Sequence, residues 1–173
     1  SRSLKRRTQS REDYLLDFGP RPVNLQAHLP QLVGGDVLDR CLRQIAPSIS
    51  TDQFINYWFE MDSRIEHQVV DQVAQLRRRG IPVFLATNQE HVRAKYLMND
   101  LKLSQHVDGL IYSAKVLSKK SDQAFFTECE KIVCRSPADL LLVDDTLANV
   151  TAAENAGWRA VHWTGTKNLL DYF

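Results

Sequence analysis

Cysteine is scarce in this chain: its 173 residues include three, Cys41, Cys129 and Cys134. Their odd number and the lack of metal-ligand spacing argue against a disulfide framework and a zinc centre. Cys41 and Cys129 fall at apolar helix positions, so the expectation is reduced, packing cysteines in a cytoplasmic protein. Long hydrophobic runs are missing as well. No stretch approaches the ~18 apolar residues of a membrane span, and no signal peptide is visible, which argues against a membrane partner. Charge of one sign is also lacking. The net charge is +1 with 25% charged residues, so nothing global favours nucleic acid. The basic group at the start (Arg2, Lys5, Arg6, Arg7, Arg11) reads as a solvated terminus. There is no internal repeat or low-complexity tract, and the length suits one α/β domain, with room for a small appendage.

What is present centres on Asp139 to Gly157, DLLLVDDTLANVTAAENAG. The apolar run Leu140 to Val143 has no alternation, as expected of a strand buried on both faces of a parallel sheet. It ends in two adjacent carboxylates, Asp144 and Asp145, and Thr146 then opens a helix that stops at Gly157. Ligands of such sheets bind at the carboxyl ends of strands. Two neighbouring carboxylates there call for a cation, and a hard ion such as Mg²⁺ prefers oxygen ligands. The plainer reading is that one aspartate caps the helix and the other faces water.

Ahead of that stretch the chain changes character once. Ser10 to Asp13 forms a capping box for a short helix ending at Gly19-Pro20, and a proline-rich loop follows to Gly35. Asp36 caps a helix carrying Val37, Leu38, Cys41, Leu42 and Ile45, and Pro47 ends it. Ser50 or Thr51 opens another, with Phe54, Ile55, Trp58, Phe59 and Met61 on a broad face. Residues 1–62 are thus expected to be helical. From Arg64, helix and strand alternate: helix 64–79, strand 82–87, helix 89–101, strand 108–113, helix 121–133, the acid-pair strand, helix 146–156, strand 159–164 and a last short helix 168–173. This order predicts a Rossmann-like three-layer parallel α/β sheet in residues 63–173, thin at four strands.

Three strand ends carry polar groups. The first runs PVFLA into Thr87-Asn88, the second leads from Ser113 into the lysine-rich AKVLSKKSD, and the third ends in Asp144-Asp145. Parallel strands bring these ends together. A hydroxyl, an ammonium and a carboxylate pair share one natural ligand, a phosphoryl group with its Mg²⁺. Singly, the threonine reads as a cap and each lysine as solvated.

The segments FLATNQEHVRAKYL, YSAKVLSKKSDQAFF and LLLVDDTLANVTAAENAGWRAVHWTG resemble, in order and spacing, the second, third and fourth motifs of the haloacid dehalogenase-like (HAD) hydrolases. The resemblance covers about residues 50 to 173. A receiver domain has a similar residue set but places its acid pair early. The resemblance implies that Thr87 hydrogen-bonds the transferring phosphoryl group with Asn88 beside it. It also implies that Lys120 stabilises a phosphoaspartyl intermediate, with Lys119 an adjacent rival. Asp144 and Asp145 would be the Mg²⁺ carboxylates, Asp145 the direct ligand. Two departures stand in the third motif: Leu117 where the family commonly has Gly, and Ser121 where it has Pro.

The family's first motif, a strand ending in an aspartate nucleophile, is not found. Asp17 in Tyr14-Leu-Leu-Asp-Phe-Gly19 is the one candidate, but polar Gln9 to Asp13 and the prolines at 20 and 22 suit the capping-box helix better. The simplest account is a chain that starts after that motif, with residues 1–62 as a small helical cap. The expectation is then a Mg²⁺-dependent phosphohydrolase acting on a small phosphorylated metabolite. The alternative is a HAD-like binding or regulatory domain, or a remnant, without catalysis. An open sheet edge pairing with another chain is a third reading. Trp58, Phe59, Trp158 and His162 are expected to pack. Oligomeric state and substrate stay open.

Overall fold

A computed structural model describes residues 36–61, 63–165 and 167–173. The expected capping-box helix, the expected proline-rich loop and Asp17 lie outside them. Two helices come first, α1 (Asp36–Ile45) and α2 (Thr51–Met61). In α1 the i, i+4 pair Leu38 and Leu42 is buried, while Cys41 and Ile45 are exposed. Burial on α1 follows a narrow seam, so Cys41 is not the packing cysteine that its helix position suggested. Helix α3 (His67–Arg78) starts three residues later than predicted, because residues 63–66 run without helix and Glu66 is extended (φ −83°, ψ 98°).

Strands β1 (Phe84–Thr87) and β2 (Gly109–Tyr112) follow, with helix α4 (His91–Asn99) between them. A short helix, α5 (Ser113–Val116), occupies what the sequence suggested was loop, and α6 (Gln123–Val133) leads to β3 (Leu141–Asp144). Helix α7 (Leu147–Asn155) and β4 (Arg159–His162) complete the alternation, and the last turn, Leu169–Tyr172, is 3₁₀ rather than α. All pairing among the described residues is parallel, Phe84↔Gly109 through Thr87↔Tyr112 and Leu141↔Arg159 through Asp144↔His162. Gly109 is needed where it stands: a Cβ there would come within 2.9 Å of the Phe84 ring.

The four strands do not form one sheet. Among the described residues they make two separate pairs, β1-β2 and β3-β4. Packing nonetheless puts both pairs in one layer. Ile111 of β2 and Leu142 of β3 share a buried cluster with Phe125, Phe126 and Cys129 of α6 and Ala153 of α7. On the opposite face, α3 joins Val143 through Val69, and Val73 reaches Leu85 of β1 with Leu97 of α4. Helices on both faces explain why LLLV shows no alternation. The arrangement is the expected three-layer α/β fold. Arg77 closes the far end, its guanidinium bidentate on Asp108 with a shortest contact of 2.8 Å. That guanidinium holds the Asp108 carboxyl below its usual range, helped by the Val83 N–H.

Candidate functional site

Thr87, Asn88 and the acid pair stand where β1 and β3 give way to turns, and Lys120 stands in the turn between α5 and α6. Thr87 is the last residue of β1 and 1% exposed, and its Oγ1 has no hydrogen-bond partner among the described residues. A buried hydroxyl left without any partner costs about 1–3 kcal/mol. Asn88 does something the sequence did not suggest. Its Oδ1 accepts the Lys120 backbone N–H at 2.7 Å, fastening the lysine loop to the end of β1.

Lys120 and Lys119 part company. Lys119 is exposed, whereas Lys120 is fully buried and its Nζ lies 2.8 Å from Asp144 Oδ2. The same nitrogen donates to the Ala86 carbonyl at 3.1 Å. One ammonium thus joins the carboxyl end of β1 to that of β3, across the two strand pairs. Leu117, at the glycine position of the motif, takes φ +56° and is 90% exposed. The left-handed turn is therefore kept without glycine.

Asp144 is 2% exposed and held on both oxygens. Besides Lys120 on Oδ2, Oδ1 accepts the Thr146 N–H at 2.8 Å and Asn149 Nδ2 at 3.0 Å. Asp145 is half-buried, and its Oδ1 accepts the Thr146 hydroxyl at 3.1 Å. Thr146 thus serves both acids, one through its main chain and one through its side chain. Two participants were not foreseen. Asn149 is buried on the first turn of α7, where an amide one turn past an acid pair is the available signal. His162, expected to pack, is instead exposed and sits 2.7 Å from the Asp145 carbonyl through Nε2. Trp158 does pack, edge-on against Phe126, with its indole N–H on Glu130.

Buried polar contacts continue from Thr87 into α4 and back to α2. Glu90 is buried at the start of α4 and accepts the N–H groups of Val92 and Arg93. Burial pushes its carboxyl up, and those two N–H groups pull it partly back. Arg93 is also fully buried. It donates to the Phe59 carbonyl at 3.1 Å and lies over the rings of Phe59 and Tyr96, tying α2 to the helix behind Thr87.

These groups can hold a phosphoryl oxygen at Thr87, offset negative charge at Lys120 and offer carboxylate oxygens to a cation. Among the described residues no three His, Cys, Asp or Glu side chains gather to cage a metal. The acid pair suits Mg²⁺, which binds through one or two carboxylates and completes its shell with water and phosphate oxygen. A cleft of about 490 Å³ lined by Arg77, Arg78, Pro82 and Asp108 opens at the amino ends of β1 and β2, the wrong end for this chemistry.

Comparison with known proteins bears on the family and the fold. Residues 56–157 match the family model for haloacid dehalogenase-like hydrolase. Phosphoglycolate phosphatase 1 of Pseudomonas aeruginosa is 30% identical over 96 residues, covering 56% of this chain and 35% of that protein. The chain thus spans about a third of that relative's length. A HAD family enzyme from Bacteroides thetaiotaomicron, an aspartate-to-alanine variant solved with magnesium and inorganic phosphate, superposes with TM-score 0.71. The superposition covers 86% of this chain and 81% of that one at 15% identity. A predicted HAD-like family hydrolase from Porphyromonas gingivalis gives 0.70 over 87% and 77% at 19% identity.

Proposed function

This chain belongs to the haloacid dehalogenase-like hydrolase family, and on that premise we propose that it serves Mg²⁺-dependent hydrolysis of a small phosphorylated metabolite. The observation carrying the reading is the buried Thr87 hydroxyl, without a partner among the described residues, together with the Lys120–Asp144 pair. In this reading Thr87 donates to an oxygen of the transferring phosphoryl group. Lys120 offsets the charge that gathers there, and Asn88 keeps the lysine loop against β1. Asp145, supported by Asp144, would hold Mg²⁺, which when bound neutralises phosphoryl charge. Such placement of fixed charge is the main source of rate in phosphoryl transfer. The magnesium and phosphate in the Bacteroides enzyme and the activity named for the Pseudomonas relative support this chemistry. Phosphoglycolate is accordingly among the first substrates to try.

The family's attacking carboxylate stays unassigned. Among the described strands only β3 ends in aspartate, and Asp17 lies outside the described residues. Residues 1–62 would act as a helical cap over a core of 63–173. The Arg93 contact with Phe59, linking α2 to the core, is consistent with such a division.

The test is p-nitrophenyl phosphate and phosphoglycolate turnover with and without Mg²⁺, together with calorimetric binding of Mg²⁺ and inorganic phosphate. Mg²⁺-dependent turnover that Thr87→Val reduces is the expected result. Binding of both ions without turnover would shift the reading to a non-catalytic phosphate-binding domain. Binding of neither would sink it.

A further inference from the structure

The geometry points to His162 as a positioning residue for the Asp145 peptide, and through it for the cation proposed at Asp145; the inference rests on that reading of the site. The ladder between β3 and β4 gives out at the acid pair. Asp144 is matched with His162, and the Trp163 N–H donates to the Asp144 carbonyl at 2.9 Å. The next carbonyl, that of Asp145, lies past the end of β3. His162 Nε2 sits 2.7 Å from it. A carbonyl oxygen only accepts, so Nε2 carries the proton and the imidazole takes over from the ladder. Successive carbonyls of the acid pair are thereby held by the last residue of β4 and the one after it, Asp144 through the Trp163 main chain and Asp145 through the His162 side chain.

This contact differs in kind from the others at the turn. Thr146, Asn149 and Lys120 grip carboxylate oxygens, whereas His162 grips the backbone from a separate strand. Backbone direction at Asp145 decides where its carboxylate points, so a held carbonyl pre-sets the ligand. His162 is exposed, and little packing depends on the ring. Its effect should therefore appear in ligand geometry far more than in stability. Hydrogen bonds behind a metal ligand typically govern affinity by 10–100-fold when lost.

The experiment uses the full chain with His162→Leu and His162→Gln, the latter keeping an amide N–H donor. Calorimetric titration with Mg²⁺ alone should show binding about tenfold weaker in H162L and largely restored in H162Q. Both should melt within about 4 °C of the parent, as loss of one exposed hydrogen bond predicts. Parent-like Mg²⁺ affinity in H162L, or no rescue by Gln, would overturn the inference. If the parent itself binds no Mg²⁺, the cation reading of the site fails, and His162 is judged on its structural part by NMR. There the expected results are a proton on Nε2 and faster exchange of the Thr146 amide in H162L but not in H162Q. A neutral ring protonated on Nδ1, or an unchanged Thr146 amide, would remove His162 from the site.

Discussion

Replacing Lys120 by Met should be among the most damaging single changes available to this domain. Lys120 and Asp144 have no exposed side-chain surface, and their charged atoms are 2.8 Å apart. Methionine roughly conserves volume, so the packing term is small and the electrostatic one is isolated. Removing one partner of a buried pair leaves an uncompensated charge, with a cost of about 3–5 kcal/mol. The lower end applies, because Thr146 N–H and Asn149 still bind Asp144 Oδ1. A loss of about 3 kcal/mol lowers the melting temperature of a domain this size by about 6–12 °C. Urea denaturation should shift its midpoint by about 1–2 M. The double variant Lys120→Met/Asp144→Asn buries no charge and should be more stable than Lys120→Met alone, with a coupling of about 2 kcal/mol. Strict additivity, or a loss below about 1 kcal/mol for Lys120→Met, would refute the buried pair.

Thr87→Val should leave stability unchanged or raise it by about 1 kcal/mol, since it removes a buried hydroxyl without a partner among the described residues. If that hydroxyl serves a phosphoryl group, calorimetry will show weaker phosphate binding in the same variant. Destabilisation by Thr87→Val would instead reveal an internal partner. Leu117→Gly relieves a left-handed residue worth about 1–2 kcal/mol and gives back about 0.5–1 kcal/mol of unfolded-chain entropy. The expected net gain is about 0.5–1 kcal/mol by urea titration, and a loss would show that the Leu117 side chain makes contacts of its own. Burial pushes the Cys129 thiol up to about 12 from 9.0, so at pH 8 a thiol reagent should label Cys41 and Cys134 quickly and Cys129 only on unfolding. Its folded value is the higher one, so its stabilising contribution is whole below pH 9.0 and is lost as pH rises toward 12. Cys129→Ala should flatten that alkaline decline, and an unchanged decline would place its cause elsewhere.

The parts of the site readable from the sequence share a physical reason: each is the polar end of a locally signalled strand. A strand covered on both faces writes itself as LLLV, and whatever follows the last apolar residue faces the ligand side. Thr87 and the acid pair are candidates on that ground. Lys120 is a candidate through the resemblance, since nothing local distinguishes it from exposed Lys119. What separates the two lysines is tertiary: an Asn88 oxygen on the Lys120 N–H, and an Ala86 carbonyl and Asp144 around its Nζ. The division of four strands into two pairs was equally out of reach, because pairing depends on which strands become neighbours and not on their composition. His162 illustrates the limit most clearly. Its strand, RAVH, suggested packing, yet its ring completes the coordination of a carbonyl seventeen residues earlier. Periodicity identifies the face a residue takes, but only the register of β3 on β4, Asp144 against His162, brings that ring to the acid pair. Candidate groups at strand ends are thus legible to the extent that their own strand positions them. Those positioned by the neighbouring strand become visible once the ladder is known.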